Sequence, residues 1–368
     1  MTYAILGIGT ALPPNSVEQS KAAEYARSLI CESEDQAALL PVLYRQTGVR
    51  RRYMVYNQHV LEEVVTTGTT SVSSVFIPRD RNDRGPTTLQ RMERYMQEAP
   101  TLACQAASEA LERAEVLPRE ITHLITVSCT GFSAPGFDIA LIKRLGLPAT
   151  TQRVHVGFMG CHGALNGLRV ARGIAAAEPD SRILLCAVEL CSLHFHYGWD
   201  PKKVVANALF ADGAAAVVGA PVPEGQSQPW RMAASGSCLI PDSEYAMTWN
   251  IGNHGFEMTL STRVPTLIGE NLRPFLDSWL GRQGLRVEDI RSWAVHPGGP
   301  RILSCVEEPL GLTPEQTNVS REVLADHGNM SSPTVLFILQ RLREREAPLP
   351  CVALGFGPGL VAEAALFV

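Results

Sequence analysis

Apolar runs bounded by glycine and proline recur along the chain at lengths suited to buried strands, and segments with apolar residues at three- and four-residue spacing lie between them. YAILGIGTALP (3–13), ITHLITVSCTG (121–131), RVHVGF (153–158), SRILLCAVEL (181–190), GAAAVVGA (213–220), RMAASGSCLI (231–240), RSWAVHPGG (291–299), CVALGFGPG (351–359) and LVAEAALFV (360–368) predict buried strands with their turns. Helical spacing covers residues 18–29, 88–113, 139–147, 164–177, 264–285, 301–312 and 334–344, with a short helix before Phe210. Residues 241–260 carry aromatic and Met side chains on a predicted hairpin, and residues 66–83, rich in Ser/Thr and then charged, read as a long loop. Alternation of strands and helices sets an α/β fold.

An internal echo organises this pattern. Cys161 precedes a helix and then the strand RILLCAVEL; Asn329 precedes the helix TVLFILQRLRE and then the strand CVALGFG. Each half closes on a small-residue strand, GAAAVVGA and AEAALFV. The polar stretch VPEGQSQP (222–229) is the natural boundary, dividing the chain into residues 1–222 and 223–368. Two related α/β halves facing each other place both helix N-termini at one centre, as an acyl-transfer enzyme of two-fold pseudo-symmetry requires.

Composition narrows the function classes. The 368 residues are 45% hydrophobic and 19% charged, an ordinary globular balance. A formal net charge of -5 makes no electrostatic case for nucleic acid or an anionic membrane surface. Nine cysteines without CxxC pairs argue against a disulfide framework and a four-cysteine zinc site, so a reducing cytoplasm is expected. No apolar run is long enough to span a membrane, and the histidines, HFH at 194–196 included, show no metal-ligand spacing. No metal and no bound cofactor is expected.

The chemistry gathers on turns. Cys161 lies between Gly160 and His162-Gly163, at the start of a helix whose free N–H groups favour thiolate over thiol. His296 stands in AVHPGG and Asn329 in DHGNMSSP, each beside glycine. Alone, each has a bland reading: a buried structural cysteine, a satisfied loop histidine, a turn-forming asparagine. Together they suit a thiolate that takes an acyl group from a thioester while His296 and Asn329 donate hydrogen bonds to the oxygen that becomes negative. Cys129 and Thr130 stand at the carboxyl end of a strand, where open α/β sheets place ligands. Arg45, Arg50, Arg51 and Arg52 form a basic cluster that reads either as a solvated face or as a landing site for nucleotide phosphates.

GCHGALNGLRVA with Cys161, NALFADGAAAVVG with Phe210, AVHPGGPRIL with His296, DHGNMSSPTVLFIL with Asn329 and the terminal GFGPG together resemble the chalcone synthase superfamily, the type III polyketide synthases. The resemblance runs over almost the whole chain. It implies a thiolase-like fold of layered αβαβα architecture, a homodimer, and iterative decarboxylative condensation of malonyl-CoA onto an acyl-CoA starter. By position, Cys161 would hold the starter, His296 and Asn329 would stabilise the enolate, and Phe210 would be a gatekeeper beside a second one at Met258. Cys129, Thr130, Ala134, Cys191, His194 and Trp249 would line the cavity with the loop Gly355, Phe356, Gly357, Pro358 and Gly359. The paired His296 is also expected to lower the Cys161 pKa.

Departures bear on the product: Met258, Trp249, Cys191, His194 and Ala134 replace other residues of the plant enzymes. ELCSL and the MTW segment are similar to bacterial enzymes making alkylpyrones, alkylresorcinols or tetrahydroxynaphthalene. Val42 and Gln46 stand where basic CoA contacts are placed in plants, which leaves Arg45, Arg50 and Arg301 as substitutes by charge. Rival readings are a 3-oxoacyl-carrier-protein synthase, against which GFGPG and Phe210 weigh, a papain-like cysteine peptidase, and a thiolase-fold protein that binds acyl-CoA without turnover.

Overall fold

The computed structural model describes residues 1–57, 63, 74–78, 82–223 and 230–368. The predicted loop at 66–83 and the boundary peptide at 222–229 therefore lie largely outside the described residues.

The N-terminal half runs β1 (Thr2–Ala11), β2 (Asn15–Glu18), α1 (Gln19–Ile30), α2 (Glu34–Gln46), β3 (Arg51–Met54), α3 (Thr88–Arg113), β4 (His123–Ser128), α4 (Phe137–Leu145), β5 (Gln152–Gly157), α5 (Gly163–Ala177), β6 (Ile183–Leu190), α6 (Pro201–Leu209) and β7 (Asp212–Val222). The C-terminal half adds β8 (Arg231–Leu239), β9 (Met247–Gly252), β10 (Gly255–Leu260), α7 (Val264–Gly281), β11 (Ser292–Val295), α8 (Pro300–Leu310), α9 (Asn318–His327), α10 (Thr334–Glu344), β12 (Cys351–Gly357) and β13 (Val361–Phe367).

Nine strands pair in the order β11-β12-β13-β8-β1-β7-β6-β4-β5. Reading outward from the β1/β8 junction, β8-β13-β12-β11 mirrors β1-β7-β6-β4. In both halves the first two pairings are antiparallel and the third parallel. Along the sheet the halves meet where β1 pairs with β8 at Tyr3↔Met232 and Ala4↔Arg231, with a further bond from Ile5 N–H to Trp230 O at 3.3 Å. The echo seen in the sequence is thus a structural repeat, α5-β6-β7 against α10-β12-β13.

Period-two alternation divides the strands' side chains between layers. One face of each half-sheet (Ile125, Val127, Leu185, Ala215 and Val217; Ala294, Ala353, Ala365 and Phe367) packs on a shared middle layer made by α5 and α10. The outer face of the N-terminal sheet packs on α3 through Leu124, Leu184, Cys186 and Ala216. That of the C-terminal sheet packs on α7 and α8 through Trp293, Val352, Leu354 and Leu366. This gives the thiolase-like layering of helix, sheet, helix, sheet, helix. Because α5 and α10 are covered on both sides, their apolar content is nearly unbroken: residues 334–340 of α10 are all buried.

One strand departs from expectation. RVHVGF was expected to be buried, yet β5 is the sheet's last strand, paired only with β4, and Gln152, Arg153, Val154 and His155 are exposed. Two helices, α2 and α9, were not anticipated; α2 is opened by a Ser33/Gln36 capping box. α1 and α2 form a satellite core with β3 and α6, built on Ala22, Ala26, Leu40, Tyr44 and Ala208.

Candidate active site

Cys161 sits in a tight 3-10 turn, Gly160–His162, directly before α5. Gly160 takes φ +71°, and a side chain there would collide with the ring of Pro358, so the terminal glycine loop lies against the Cys161 turn. His162 seals the same contact: a Cβ on Gly357 would lie 2.5 Å from its Nε2. Its Nδ1 is 2.7 Å from Asn166 Oδ1.

Asn329 reaches Cys161 from the facing half. Its side chain and that of Ser331 lie near enough to the Cys161 sulfur to favour the ionised form against burial. The Asn329 Oδ1 accepts the Ser331 N–H at 2.8 Å, which fixes the carboxamide. His296 extends β11, donating its backbone N–H to Leu354 O at 2.8 Å. Its ring is buried, both nitrogens lack a hydrogen-bond partner among the described residues, and it lies close enough to His162 for the two imidazoles to oppose each other's protonation.

The thiolate expected from the helix terminus is opposed by burial. Burial pushes the Cys161 thiol up to about 11, against the pull of hydrogen bonds from Ser331, Asn329 and its own backbone. Burial likewise drives His296 down to about 3. The resting pair is therefore a neutral thiol and a neutral imidazole: taking both groups out of water costs more than the turn's dipoles return.

A cavity of about 330 Å³ opens on Cys161. Of the residues predicted to line it, Cys129, Thr130, Cys191, His194, Trp249, Phe210, Met258 and Pro358 do so. Ala134 does not; it precedes Pro135 at a separate pocket formed with α3 and α4. Gly355, Phe356, Gly357 and Gly359 also lie off the wall: Gly355 and Gly357 back onto His162, Phe356 is in the C-terminal core, and Gly359 donates its N–H to Met247 O. Arg45, Arg50 and Arg301 are exposed and off the wall, with Arg50 paired to Asp326.

His194 is a pillar of this wall. Its Nε2 is 2.7 Å from Thr130 O, its Nδ1 accepts the Phe256 N–H at 2.9 Å, and its ring stacks on Phe256 at 4.2 Å. Those bonds make it a neutral Nε2–H tautomer that ties the β9/β10 hairpin to the end of β4, and burial lowers its pKa to about 3. Trp249 adds a bond from Nε1–H to Cys129 O at 2.8 Å.

Sequence reasoning missed Glu189. A carboxylate at the end of the apolar run ILLCAVEL was the available signal. It is fully buried and accepts from Cys129 N–H (2.9 Å), Thr130 Oγ1 (2.7 Å) and Ser332 Oγ (2.6 Å), joining both halves beneath the thiols Cys129, Cys161 and Cys191. Burial raises its pKa to about 7, and that of Asp212, which holds Val55 N–H and Ser192, to about 6.

A folded-state pKa above the unfolded value contributes stability that is full below the unfolded carboxylate pKa and is lost as pH rises through the folded one. Denaturant unfolding should therefore show stability falling between pH 5 and 8, by on the order of 3 kcal/mol from Glu189. Glu189→Gln should flatten that slope; equal slopes in both proteins would show that the carboxyl is not protonated on folding.

Comparison with known proteins agrees with the geometry. Residues 2–222 match the N-terminal domain of chalcone and stilbene synthases, and residues 231–368 match their C-terminal domain. The chain is 33% identical to type III polyketide synthase C of Arabidopsis thaliana, covering 98% of this chain and 93% of the relative. It is 32% identical to the alpha-pyrone synthesis polyketide synthase-like Pks18 of Mycobacterium tuberculosis, covering 100% and 91%. The crystal structure of PKS-I from the brown alga Ectocarpus siliculosus superposes with a TM-score of 0.90 at 30% identity, covering 100% and 98%.

Proposed function

The chain belongs to the chalcone and stilbene synthase family, the type III polyketide synthases, and from that premise we propose that Cys161 carries an acyl-CoA starter which malonyl-CoA extends iteratively before closure to a pyrone or resorcinol-type product. The enzyme is an acyltransferase that forms C–C bonds. The observation that carries the residue assignment is one cavity lined by both Cys161 and Phe210, with the Asn329 side chain beside the thiol.

In the loading step the Cys161 proton passes to a nitrogen of neutral His296, the sulfur attacks the starter thioester, and the CoA thiolate leaves with that proton. In the extending step malonyl-CoA loses carbon dioxide. The electron pair released moves onto the thioester oxygen, where the N–H of His296 and the carboxamide of Asn329 receive it. The enolate carbon then attacks the acyl carbonyl and expels Cys161. The apolar ring of Phe210 disfavours the departing carboxylate relative to neutral carbon dioxide.

The starter fits an apolar acyl chain. Beyond Cys161 the cavity continues between β2, α1 and β3, past Val17, Ala22, Ala26, Leu29 and Met54. An arm of that composition favours methylenes, each worth about 0.8 kcal/mol on leaving water. The name of the Mycobacterium relative supports pyrone closure. Mass spectrometry of products from a panel of straight-chain acyl-CoA starters with malonyl-CoA tests this reading. Ala26→Leu should shorten the longest starter accepted while short starters keep their rate within about twofold. Equal loss across all lengths would remove α1 from the acyl site.

A homodimer accompanies the reading. β5 leaves its outer edge unpaired, and Val154, Phe132 and Met159 are exposed beside it. An open edge with apolar neighbours is a surface that soluble chains cover. Sedimentation should give twice the 40.0 kDa chain mass, and Val154→Lys should shift it toward monomer. A wild-type monomer would refute the dimer.

A further inference from the structure

The basic run read from the sequence splits in two. Arg50 and Arg51 are exposed and pair with Asp326 and Glu18, whereas Arg52 is 5% exposed and lines the same cavity as Cys161 and Phe210. Its position follows from how α6 ends.

A helix leaves its last carbonyls without intrahelical donors, and when buried they must be met from elsewhere. Here Ala206 O accepts the N–H of Phe210 at 3.1 Å. Ala208 O accepts from Gln19 Nε2 at 2.8 Å, and Leu209 O accepts the N–H of Asn329 at 2.9 Å. Asn207 O and Phe210 O remain, and both are taken by a single nitrogen, Arg52 Nη1, at 2.6 and 3.0 Å. In return Ala211 donates its N–H to Asn329 O at 2.9 Å, so Phe210 and Asn329 face each other as an isolated parallel bridge. The guanidinium closes the open end of that ladder.

Arg52 is itself held without freedom. Its guanidinium lies over the Tyr44 ring at 5.6 Å, and a Cβ on Gly328, at φ +75°, would come within 3.0 Å of its Cγ. A guanidinium stays charged at neutral pH, and a cation suits the C-terminal end of α6. Lysine would keep the charge and several donors on one nitrogen, but not the planar guanidinium that lies over Tyr44 and aims that nitrogen at both carbonyls.

We propose that Arg52 is a positioning residue for decarboxylation: by bonding the carbonyls of Asn207 and Phe210 it fixes the spacing between the Phe210 ring and the Asn329 carboxamide. The inference rests on the roles given above to those two residues. It assigns to the basic cluster a task other than holding CoA phosphates, and it separates the two half-reactions, because the Cys161 turn receives no bond from Arg52.

The test compares wild type, Arg52→Gln, Arg52→Lys and the surface control Arg51→Gln as full-length proteins. Carbon dioxide release from malonyl-CoA is measured alongside the rate at which iodoacetamide alkylates Cys161. Arg52→Gln should lower kcat for decarboxylation about tenfold, with KM for malonyl-CoA and the alkylation rate changed less than about twofold. Arg52→Lys should recover part of the loss, and Arg51→Gln should match wild type. An unchanged kcat in Arg52→Gln overturns the proposal, as does a parallel fall in alkylation and decarboxylation, which would mark a general disturbance. If the glutamine protein does not fold, Arg52→Met, which keeps the stem and removes every donor, decides: a wild-type kcat there refutes the proposal. Wild type that releases no carbon dioxide would instead sink the reading of the site itself.

Discussion

Cys161→Ala should yield no extended product from any starter, a loss on the order of 10⁴-fold or more, since removing the atom that bears a covalent intermediate leaves only binding and polarisation. Radiolabelled malonyl-CoA with a matched acyl-CoA gives the product measurement, and intact-protein mass spectrometry should show one acyl group on wild type and none on the variant. The physical reason is specific to this pocket. Cys129 and Cys191 line the same cavity, but Glu189 sits beneath them and burial holds both thiols well above their ordinary pKa. Ser331 and Asn329 favour the ionised form of Cys161 and of neither neighbour. An acylated Cys161→Ala protein would show that a neighbouring thiol is the true carrier.

His296→Ala and Asn329→Ala should separate the half-reactions differently. Each removes a donor proposed to stabilise the developing enolate, and loss of one such donor costs about 10²–10³ in rate. Carbon dioxide release from malonyl-CoA should fall by that factor in both. Asn329→Ala should still accept a starter on Cys161, whereas His296→Ala should also load slowly, because the neutral imidazole is the base proposed to take the proton of a thiol whose pKa stands at about 11. Stopped-flow acylation and carbonate trapping read the two steps. A His296→Ala enzyme that decarboxylates at the wild-type rate would place the enolate elsewhere.

Much of this was legible in the chain because the fold repeats itself. The matching order of helix and strand after Cys161 and after Asn329 showed two halves, and burial of α5 and α10 on both sides explains why their sequences looked apolar throughout. What the sequence hid depends on neighbours from far away. RVHVGF reads as buried by its alternation, yet no local pattern tells that β5 has a partner on one side only. The ionisation of Cys161 was misjudged for a related reason: a helix terminus is visible in sequence, but the depth of burial opposing it is set by the facing half. Arg52 was grouped with three surface arginines because nothing adjacent marks it as reaching α6, 155 residues away. Cavity residues at strand ends were found; Gly355 and Gly357 were taken for wall when they are the packing behind it.

The junction where the two half-sheets meet has a consequence for how the protein is made. β1 finds its hydrogen-bonding partners only in Asp212–Val222 and the start of Arg231–Leu239, strands translated long after it. Until those strands emerge TYAILGIGTA lacks them, and its isoleucines stay open to chance association. Slow synthesis of the stretch between β1 and β7 would therefore lengthen that window rather than help folding.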